Sequence, residues 1–411
     1  MVEAMEVKKG FQKTEVGVIP SDWKLCSYGQ LFDFLTTATY SRAQLSENDE
    51  IGYVHYGDIH TRCQYFLDCD KIVLPSIKKE LQRKYPFLKD GDLLVVDASE
   101  DYKGVGKSVE VRNLRNKKVI SGLHTFLLRD KDGIIANGFK GYLHSNRLVK
   151  KQMDTLATGL KVYGVSKTNL KRILIPIPPT KTEQTAIATA LNDTDALITQ
   201  LEKLIAKKQA IKQGAMQELL KPKEGWKENS LTEYVNYIHG KAHEKNIVEN
   251  GKYVVVNSKF ISSGGKVVKH SNNNFCPAKK NDILTVLSDL PNGKALAKCF
   301  YVEGENKYAV NQRICIWRSK GANQRFLFYL LNRNEYFLGL DDGISQTHIL
   351  NHHIEKCRIS MPTDYAEQEK IGAILFDMDI EIEVLEKKIE KYKMMKQGMM
   401  QNLLTGKIRL I

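Results

Sequence analysis

The stretch Thr180–Leu220 has the sequence TKTEQTAIATALNDTDALITQLEKLIAKKQAIKQGAMQELL, and a second copy of it follows later in the chain. Asp364–Leu404, DYAEQEKIGAILFDMDIEIEVLEKKIEKYKMMKQGMMQNLL, lies at a constant offset of 184 residues, without a gap. The copies are identical at about half of their positions, among them Glu183-Gln184 and Glu367-Gln368. Solenoid repeats are only ~20–50 residues long, so this period indicates a duplication of whole domains.

Both copies predict one long amphipathic helix. Thr180 and Asp364 are each followed three residues later by a glutamate, which predicts a capping box at each helix start. A lone helix would leave its apolar seam in water, so we expect the two helices to pair. A two-fold relation between the halves favours an antiparallel pair. The heptad-spaced seam residues are Ile187, Leu191, Ile198, Leu201, Ile205 and Leu219, then Ile371, Leu375, Met378, Ile382, Leu385, Ile389, Tyr392, Met399 and Leu403.

The regions before the two helices predict two heads of mixed α and β structure. Residues 1–20 are polar and predict a tether. Asp92–Asp97 predicts a buried strand, and Gly138–Thr155 has helical spacing. The second half repeats this order, with Pro362 lying 184 residues after Pro178, but its residues differ much more than those of the helices. The two heads therefore share a plan and differ in surface chemistry.

The composition favours a polyanionic partner. The 411-residue chain carries a formal net charge of +14, which attracts nucleic acids or anionic membranes. No apolar stretch approaches the ~18 residues of a membrane span, and the start MVEAMEVKKG lacks the apolar core of a signal peptide. The seven scattered cysteines include no C-x-x-C pair, which predicts free thiols in a reducing cytoplasm.

Four short segments carry a family signature. Residues 11–23 read FQKTEVGVIPSDW, residues 176–184 PIPPTKTEQ, residues 361–368 MPTDYAEQ and residues 397–409 QGMMQNLLTGKIR. Together they resemble the N-terminal K-T-E-x-G-x-I-P-x-x-W signature, the P-P-x-x-E-Q helix entries and the C-terminal ending of type I restriction–modification specificity (S) subunits. Thr363 departs from this pattern, because it replaces the second proline of the second entry.

The resemblance covers the whole chain and implies both a fold and partners. The fold class would be α/β, with two pseudo-symmetric globular target-recognition domains of mixed α+β structure separated by a long antiparallel two-helix coiled coil. S subunits have no catalytic activity and bind a bipartite site in double-stranded DNA. They assemble with two modification (M) subunits, which methylate adenine with S-adenosylmethionine, and restriction (R) subunits can join and cleave DNA with ATP and magnesium. The expected domains are residues 1–178 (first recognition domain), 179–222 (first helix), 223–362 (second recognition domain) and 363–411 (second helix and tail).

Two patterns superficially suggest chemistry on the chain itself. Gly104–Ser108, GVGKS, lacks the first glycine of a phosphate-binding loop, since Asp101 stands there, and a strand is predicted where the helix should follow. Asp97, Asp101 and Lys103 imitate a nuclease cluster, but the second half has no equivalent. We therefore expect neither ATP binding nor a nuclease site, and a DNA-facing or solvated loop fits both segments better.

A zinc site and a self-contained methyltransferase are also not expected. The spacing of His348, His352, His353 and Cys357 does not give an ordered four-ligand set. No N-P-P-Y-type tetrapeptide is present to hold a target adenine, so catalytic residues, metal and cofactor are expected to be absent from this chain. Two alternatives stay open: a DNA-modifying enzyme that acts without partners, and a protein-binding scaffold without salt-dependent affinity for DNA.

DNA contacts are expected from loops that mix basic, aromatic and amide side chains. Arg62 would bind a guanine edge and Asn257 an adenine edge, although an ordinary solvated loop is the alternative for each residue. The candidate DNA-binding residues are Tyr40, Arg42, Tyr56, His60, Arg62, Lys103, Lys107, Lys161 and Tyr163, then Lys241, His243, Asn257, Lys259, Lys266, Lys294, Gln346 and His348. Recurring helix residues outside the seam predict a docking surface for a shared partner: Glu183, Gln184, Gln213, Gly214, Glu367, Gln368, Gln397 and Gly398.

Overall fold

Two compact units make up the chain in a computed structural model that describes residues 8–82, 84–99, 106–156, 163–291 and 293–410. One unit comprises Met1–Gln200 with Ile389–Ile411, and the other comprises Leu201–Lys388. Each unit therefore contains one head and parts of both long helices. The expected domain boundaries cut the chain differently, between head and helix, and stay a prediction.

The first head is built on a sheet with strand order β4-β12-β8-β10-β6. Its central strand β8 is buried along its whole length. All four of its residues are apolar, so both faces of the strand pack against apolar neighbours. The strands are β1 (Phe11–Thr14), β2 (Gly17–Pro20), β3 (Lys24–Ser27), β4 (Phe32–Leu35), β5 (Ile51–Val54), β6 (Phe66–Asp68), β7 (Ser76–Ile77), β8 (Leu93–Val96), β9 (Ala98–Ser99), β10 (Ser108–Arg112), β11 (Val119–Ser121), β12 (Thr125–Asp130), β13 (Tyr163–Gly164) and β14 (Leu174–Ile177). The helices are α1 (Tyr28–Leu31), α2 (Tyr56–Arg62), α3 (Lys79–Gln82), α4 (Arg147–Leu156) and α5 (Lys167–Arg172).

The second head repeats the central order as β16-β24-β20-β22. Its strands are β15 (Trp226–Ser230), β16 (Val235–His239), β17 (Ile247–Val248), β18 (Tyr253–Val256), β19 (His270–Ser271), β20 (Ile283–Val286), β21 (Ser288–Asp289), β22 (Cys299–Tyr301), β23 (Tyr308–Val310), β24 (Ile314–Ser319), β25 (Thr347–His348) and β26 (Arg358–Pro362). Its helices are α7 (Leu231–Tyr234), α8 (Ser258–Ser262), α9 (Gln324–Leu331), α10 (Glu335–Leu338) and α11 (Asn351–Lys356). Corresponding strands therefore occupy corresponding places in the two heads.

The long helices are α6 (Lys181–Leu219) and α12 (Tyr365–Leu403). Their predicted seam is confirmed, because Ile187, Leu191 and Ile198 of α6 and Ile371 and Leu375 of α12 are buried. In the first unit the end of α12 lies against the start of α6, and in the second unit Lys208 and Lys212 meet Glu381 and Asp379. Within each unit the helix pair is therefore antiparallel, as expected.

The mixed α and β heads and the long helices confirm the expected fold class, but two local predictions are wrong. The capping boxes are incomplete: Thr180 and Asp364 cap their helices through backbone N–H groups, while Glu183 and Glu367 bond elsewhere. Of residues 1–20, which were expected to form a tether, residues 11–20 form the hairpin β1–β2, and residues 1–7 lie outside the described residues. The amide of Gln12 donates to the carbonyls of Pro20 and Trp23, which pins the hairpin to the head.

Candidate nucleic-acid interface

In the first head, several predicted DNA-contacting residues meet around Tyr56, at the start of α2. The Tyr56 ring lies 4.5 Å from the His55 ring, 6.1 Å from His60 and 5.3 Å from His124, measured between centroids. His124 Nδ1 is 3.1 Å from an Asp97 carboxylate oxygen. We call Tyr56, His55, His60 and His124 the Tyr56 cluster.

The electrostatics of this region reflect partial burial. Lys107 donates from Nζ to the His60 carbonyl at 3.0 Å, and burial lowers the pKa of this lysine. Burial also lowers the pKa of His55, with the nearby Arg42 charge acting in the same direction. The pKa of Asp97 is raised by burial against the opposing effect of His124. Desolvated basic and aromatic groups of this kind suit a surface that packs against an anionic, stacked ligand.

In the second head, polar side chains surround a recess of about 640 Å³, which we call the Arg313 recess. The strand pair β21–β25 borders it, with Ser288 opposite His348. Gln346 donates its amide to Ser288 Oγ at 3.0 Å, and His239 Nε2 lies 2.7 Å from Asn351 Oδ1. The lining residues are His239, Leu287, Ser288, Gln312, Arg313, His348, Ile349, Leu350, Asn351, His352 and Glu355.

The Arg313 recess and the Asp97–His124 pair occupy equivalent positions in the two heads. The Asp97 amide donates to the His124 carbonyl, and the Leu287 amide donates to the Arg313 carbonyl, each just before the corresponding strand β12 or β24. The short pairs β9–β13 and β21–β25 flank these positions in the same way. The same backbone frame therefore carries an Asp–His pair in one head and, in the other, an arginine whose guanidinium has no partner among the described residues.

Four predicted DNA-binding residues make hydrogen bonds within their own head. Tyr40 donates its hydroxyl to the Leu81 carbonyl at 2.7 Å and packs in a small core. His243 is fully buried: one ring nitrogen lies 2.6 Å from the Lys241 carbonyl, and the other accepts from the Phe275 amide. His243 is therefore not accessible in this structure, and DNA contact by the half-buried Tyr40 stays a prediction.

Arg62 and Asn257 are the other two, and both were expected to read base edges. Arg62 donates from Nη1 to the Val73 carbonyl at 2.7 Å and lies 3.7 Å from Asp58. Asn257 is the N-cap of α8, and its Oδ1 accepts from the Phe260 amide at 2.9 Å. Each side chain therefore has one polar atom engaged within the head, and base contact by Arg62 and Asn257 stays a prediction.

The other candidates divide into three groups. Arg42 is exposed and pairs with the buried Asp58 at 2.8 Å, while Tyr163 lies half-buried on β13. Lys103 and Lys161 lie outside the described residues. Exposed basic side chains in the second head are those of Lys241, Lys259, Lys266, Lys294 and His348.

His124, Arg313, His239 and Asn351 were missed by the sequence reasoning. None belongs to a motif, and the segments that bring His239, Arg313 and Asn351 to one recess are far apart in the chain. The signal that was available is positional: His124 and Arg313 each directly precede a strand that occupies the same place in the duplicated sheet. Comparing the two halves strand by strand would have found the pair.

The glutamines at the starts of the two long helices make hydrogen bonds within the chain. Gln184 accepts from the Ala136 amide at 2.7 Å and donates to the Pro178 carbonyl at 3.1 Å. Gln368 repeats this with the Asn323 amide at 2.9 Å and the Pro362 carbonyl at 2.7 Å. Both side chains are buried, so they hold each head to its helix and cannot touch a partner directly.

The paired glutamates differ from one another. Glu183 is fully buried and binds Arg409, which also holds Asp22 at 3.0 Å. The Arg409 hydrogen bonds lower the pKa of Asp22. Glu367 accepts instead from the Trp226 indole at 3.2 Å. Direct docking through Glu183 is therefore excluded by its burial, and the recurrence of these glutamates is explained by contacts within the chain.

The residues Gln213, Gly214, Gln397 and Gly398 remain available on the helices. Both glutamines are exposed. A methyl group added at either glycine would meet nothing within 4 Å. Glycine inside a helix costs about 1 kcal/mol relative to alanine, so its presence at both equivalent positions is not explained by packing within the chain.

The heads meet the helices at two equivalent ionic junctions. In the first unit, Lys396 Nζ lies 2.5 Å from Asp195, and the Tyr142 hydroxyl is 3.0 Å from Asn192 and 3.4 Å from Asp195. In the second unit, Lys212 binds Asp379, and the Tyr329 hydroxyl donates to Asp379 at 2.6 Å. Burial raises the pKa of both phenols, so they stay protonated as donors. Asp195 corresponds to Asp379 and Lys212 to Lys396, which is the reciprocal contact expected of a two-fold relation.

Comparison with known protein families matches residues 20–213 and residues 223–393 to the type I restriction modification DNA specificity domain. Two copies of one domain thus cover most of the chain, in register with the duplicated heads and helices. The chain belongs to the type I restriction–modification specificity subunits. In that family, the specificity subunit supplies the DNA sequence specificity through two target-recognition domains.

Similar proteins agree with this assignment. The MjaX and MjaVIII specificity subunits of type I restriction enzymes from Methanocaldococcus jannaschii are 25% and 24% identical, over 98% and 95% of this chain and 97% and 94% of their own lengths. The fold resembles the type I restriction–modification S subunit from M. genitalium, with a TM-score of 0.58, 17% identity and coverage of 93% of this chain and 96% of that one. It also resembles a chain from a study of assembly and conformational transition of the type I system, with a TM-score of 0.54, 14% identity and coverage of 95% and 99%.

Specificity subunits of this family are non-catalytic components, and the phosphate-loop pattern of this chain has a structural explanation. A strand, β10, follows Lys107 where a phosphate-binding loop needs a helix. Asp101 and Lys103 of the nuclease-like pattern lie outside the described residues. Among the described residues, no group of three His, Cys, Asp or Glu side chains is placed to hold a metal ion, and no helix is long and apolar enough to cross a membrane.

Proposed function

We propose that each head of this specificity subunit reads one half of a bipartite site in double-stranded DNA. The observation that carries the proposal is the pair of equivalent positions at Asp97–His124 and the Arg313 recess, where one backbone frame presents different polar groups. Different groups at one place in two related domains give different base readout in the two half-sites. The net charge of +14 supplies the sequence-independent attraction to phosphates.

The helix pair is proposed to dock two M subunits, one for each half. The Gln213-Gly214 and Gln397-Gly398 pairs, whose glutamines are exposed, would form the equivalent contact points, since a glycine lets a partner approach the helix backbone closely. Apolar side chains on the same two helices are also exposed, among them Ile211, Val384 and Met394. S-adenosylmethionine would sit on the M subunits, and ATP with magnesium on R subunits if these join. The complex would act on DNA in the cytoplasm, where the cysteines remain free thiols.

The test is methylome sequencing of a host that expresses this chain with its neighbouring methyltransferase, combined with native mass spectrometry of the purified complex. We expect one split motif with methylated adenine in each half, and two M subunits per chain. Methylation by the chain without any partner would support a self-contained enzyme instead. A chain without salt-dependent DNA affinity, alone or with methyltransferase, would support a protein-binding scaffold.

The helices are further proposed to set the half-site spacing. Insertion of one heptad after Lys203 and another after its counterpart Lys387 keeps the seam in phase and adds about 10.5 Å to each helix. This length corresponds to about three base pairs of DNA at ~3.4 Å each. We expect the methylated motif to keep both halves and to gain about three base pairs of spacer. An unchanged spacer would show that the helices do not set the distance.

A further inference from the structure

Arg313 lines the recess, and within the described part of the chain its side chain holds no other residue in place. Its backbone is fixed, because its carbonyl accepts from the Leu287 amide at 2.9 Å. The side chain is exposed, and no hydrogen bond or ion pair joins its guanidinium to another of the described residues. Arg318, five residues further on, shows what a structural arginine does in this head: it holds the buried Asp282 through two hydrogen bonds of 2.9 and 2.7 Å.

The wall of the recess offers further groups for recognition. Gln312 is an exposed residue of this wall, and its side-chain amide can both donate and accept. Asn351 uses its oxygen to hold His239, which leaves its amide NH₂ as a donor. The recess also contains one carboxylate, that of Glu355, which is exposed and 3.5 Å from the Tyr237 hydroxyl. Binding of a phosphate would require only the positive charge. A guanidinium beside side-chain amides and one carboxylate offers both donors and acceptors, which suits the edges of base pairs.

We propose that Arg313 is the guanine-reading residue of the second head, an inference that rests on the proposed reading of one half-site by each head. A planar guanidinium donates two parallel hydrogen bonds to O6 and N7 of guanine in the major groove, and this is the commonest specific contact of arginine with DNA. The fixed backbone and free side chain of Arg313 match that task.

The first head provides the contrast. His124 occupies the position equivalent to Arg313, and its ring lies 3.1 Å from an Asp97 carboxylate oxygen and nearly perpendicular to the Tyr56 ring. A histidine ring held in this way cannot donate two parallel hydrogen bonds to a guanine. The first head is therefore expected to read its half-site without an arginine–guanine contact from this position.

The experiment uses the chain in complex with its methyltransferase partner and a duplex library with a randomised split site, sequenced after methylation. Three variants are compared: Arg313→Ala, Arg313→Lys and Lys294→Ala. The last is the matched control, because it removes the same charge from an exposed side chain of the same head. For Arg313→Ala we expect the first half-motif to be retained, and the preference for guanine at one position of the second half to fall between about 5-fold and about 150-fold. Arg313→Lys keeps the charge but loses the fork, so most of this preference should still be lost.

Lys294→Ala should weaken methylation of all sequences alike and leave the motif unchanged. The proposal is overturned if Arg313→Ala leaves every second-half position unchanged, if it weakens all sequences alike as a phosphate contact would, or if the second half-motif contains no guanine. Absence of any split motif with the unaltered chain would instead overturn the proposed function, and with it this inference.

Discussion

The ionic junctions of the two halves are alike, whereas the positions proposed to read DNA, His124 and Arg313, differ. At the junctions, Asp195 and Asp379 each bind a lysine from the other helix and a tyrosine from the head, so the two halves use the same three side chains. At the reading positions, His124 and Arg313 occupy one backbone frame and differ in size, charge and partners. The two halves therefore share the contacts that join head to helix, and they differ in the side chains that the heads present at equivalent positions.

The largest expected effect comes from exchanging a whole head. Replacement of residues 21–178 by the first head of another specificity subunit should change one half of the methylated motif completely and leave the other half intact. Methylome sequencing measures this directly. A change in both halves, or in neither, would show that the heads do not read independently.

The next effect concerns the lysines of the junctions. Lys396→Met keeps the aliphatic part of the side chain but removes the ammonium group that pairs with Asp195. The Lys396 side chain is only 8% exposed. We expect the free energy of unfolding to fall by about 2–3 kcal/mol, measured by urea titration. Lys212→Met should cost less, since that side chain is 20% exposed. Lys391→Met, on the solvent side of α12, is the control, and an equal loss there would remove any special role for the junction.

The tyrosines of the junctions sharpen the same comparison. Tyr329→Phe removes a hydrogen bond of 2.6 Å to Asp379, which should lower the free energy of unfolding by about 1.5–2 kcal/mol. Tyr142→Phe removes longer bonds of 3.0 and 3.4 Å and should cost about 0.5–1 kcal/mol. Denaturation of the two variants side by side tests the order, and a larger loss for Tyr142→Phe would contradict it.

The smallest effect is expected from the helix glycines, whose replacement should raise the stability of the free chain but lower its affinity for the M subunits. Gly214→Ala and Gly398→Ala should each stabilise the free chain by about 0.5–1 kcal/mol, because the added methyl group meets nothing and alanine favours the helix. The same substitutions should weaken M-subunit binding if a partner approaches these backbones. Calorimetric unfolding and a binding titration separate the two effects. A gain in stability with unchanged affinity would place the M subunits elsewhere.

The sequence predicted the long helices and their seam because those signals are local. A heptad pattern and a capping residue lie within a few turns of each other, and Leu191 and Leu375 are buried as the spacing required. Side-chain availability was much less predictable. Gln346 meets Ser288 across 58 residues of chain, and Glu183 meets Arg409 across 226. Whether a glutamate or histidine is free for a partner depends on such distant contacts, which composition and spacing do not reveal.

The contact between Arg409 and Glu183 also has a consequence for the order of folding during synthesis. The core of the first unit includes Leu403 and Leu404, and Arg409 closes it against Glu183 and Asp22. The second unit is a single uninterrupted segment, Leu201–Lys388. On the ribosome, where domains fold as their residues emerge, the second unit can therefore be complete while the first still waits for the final residues. The half of the molecule that is made first is the half that is finished last.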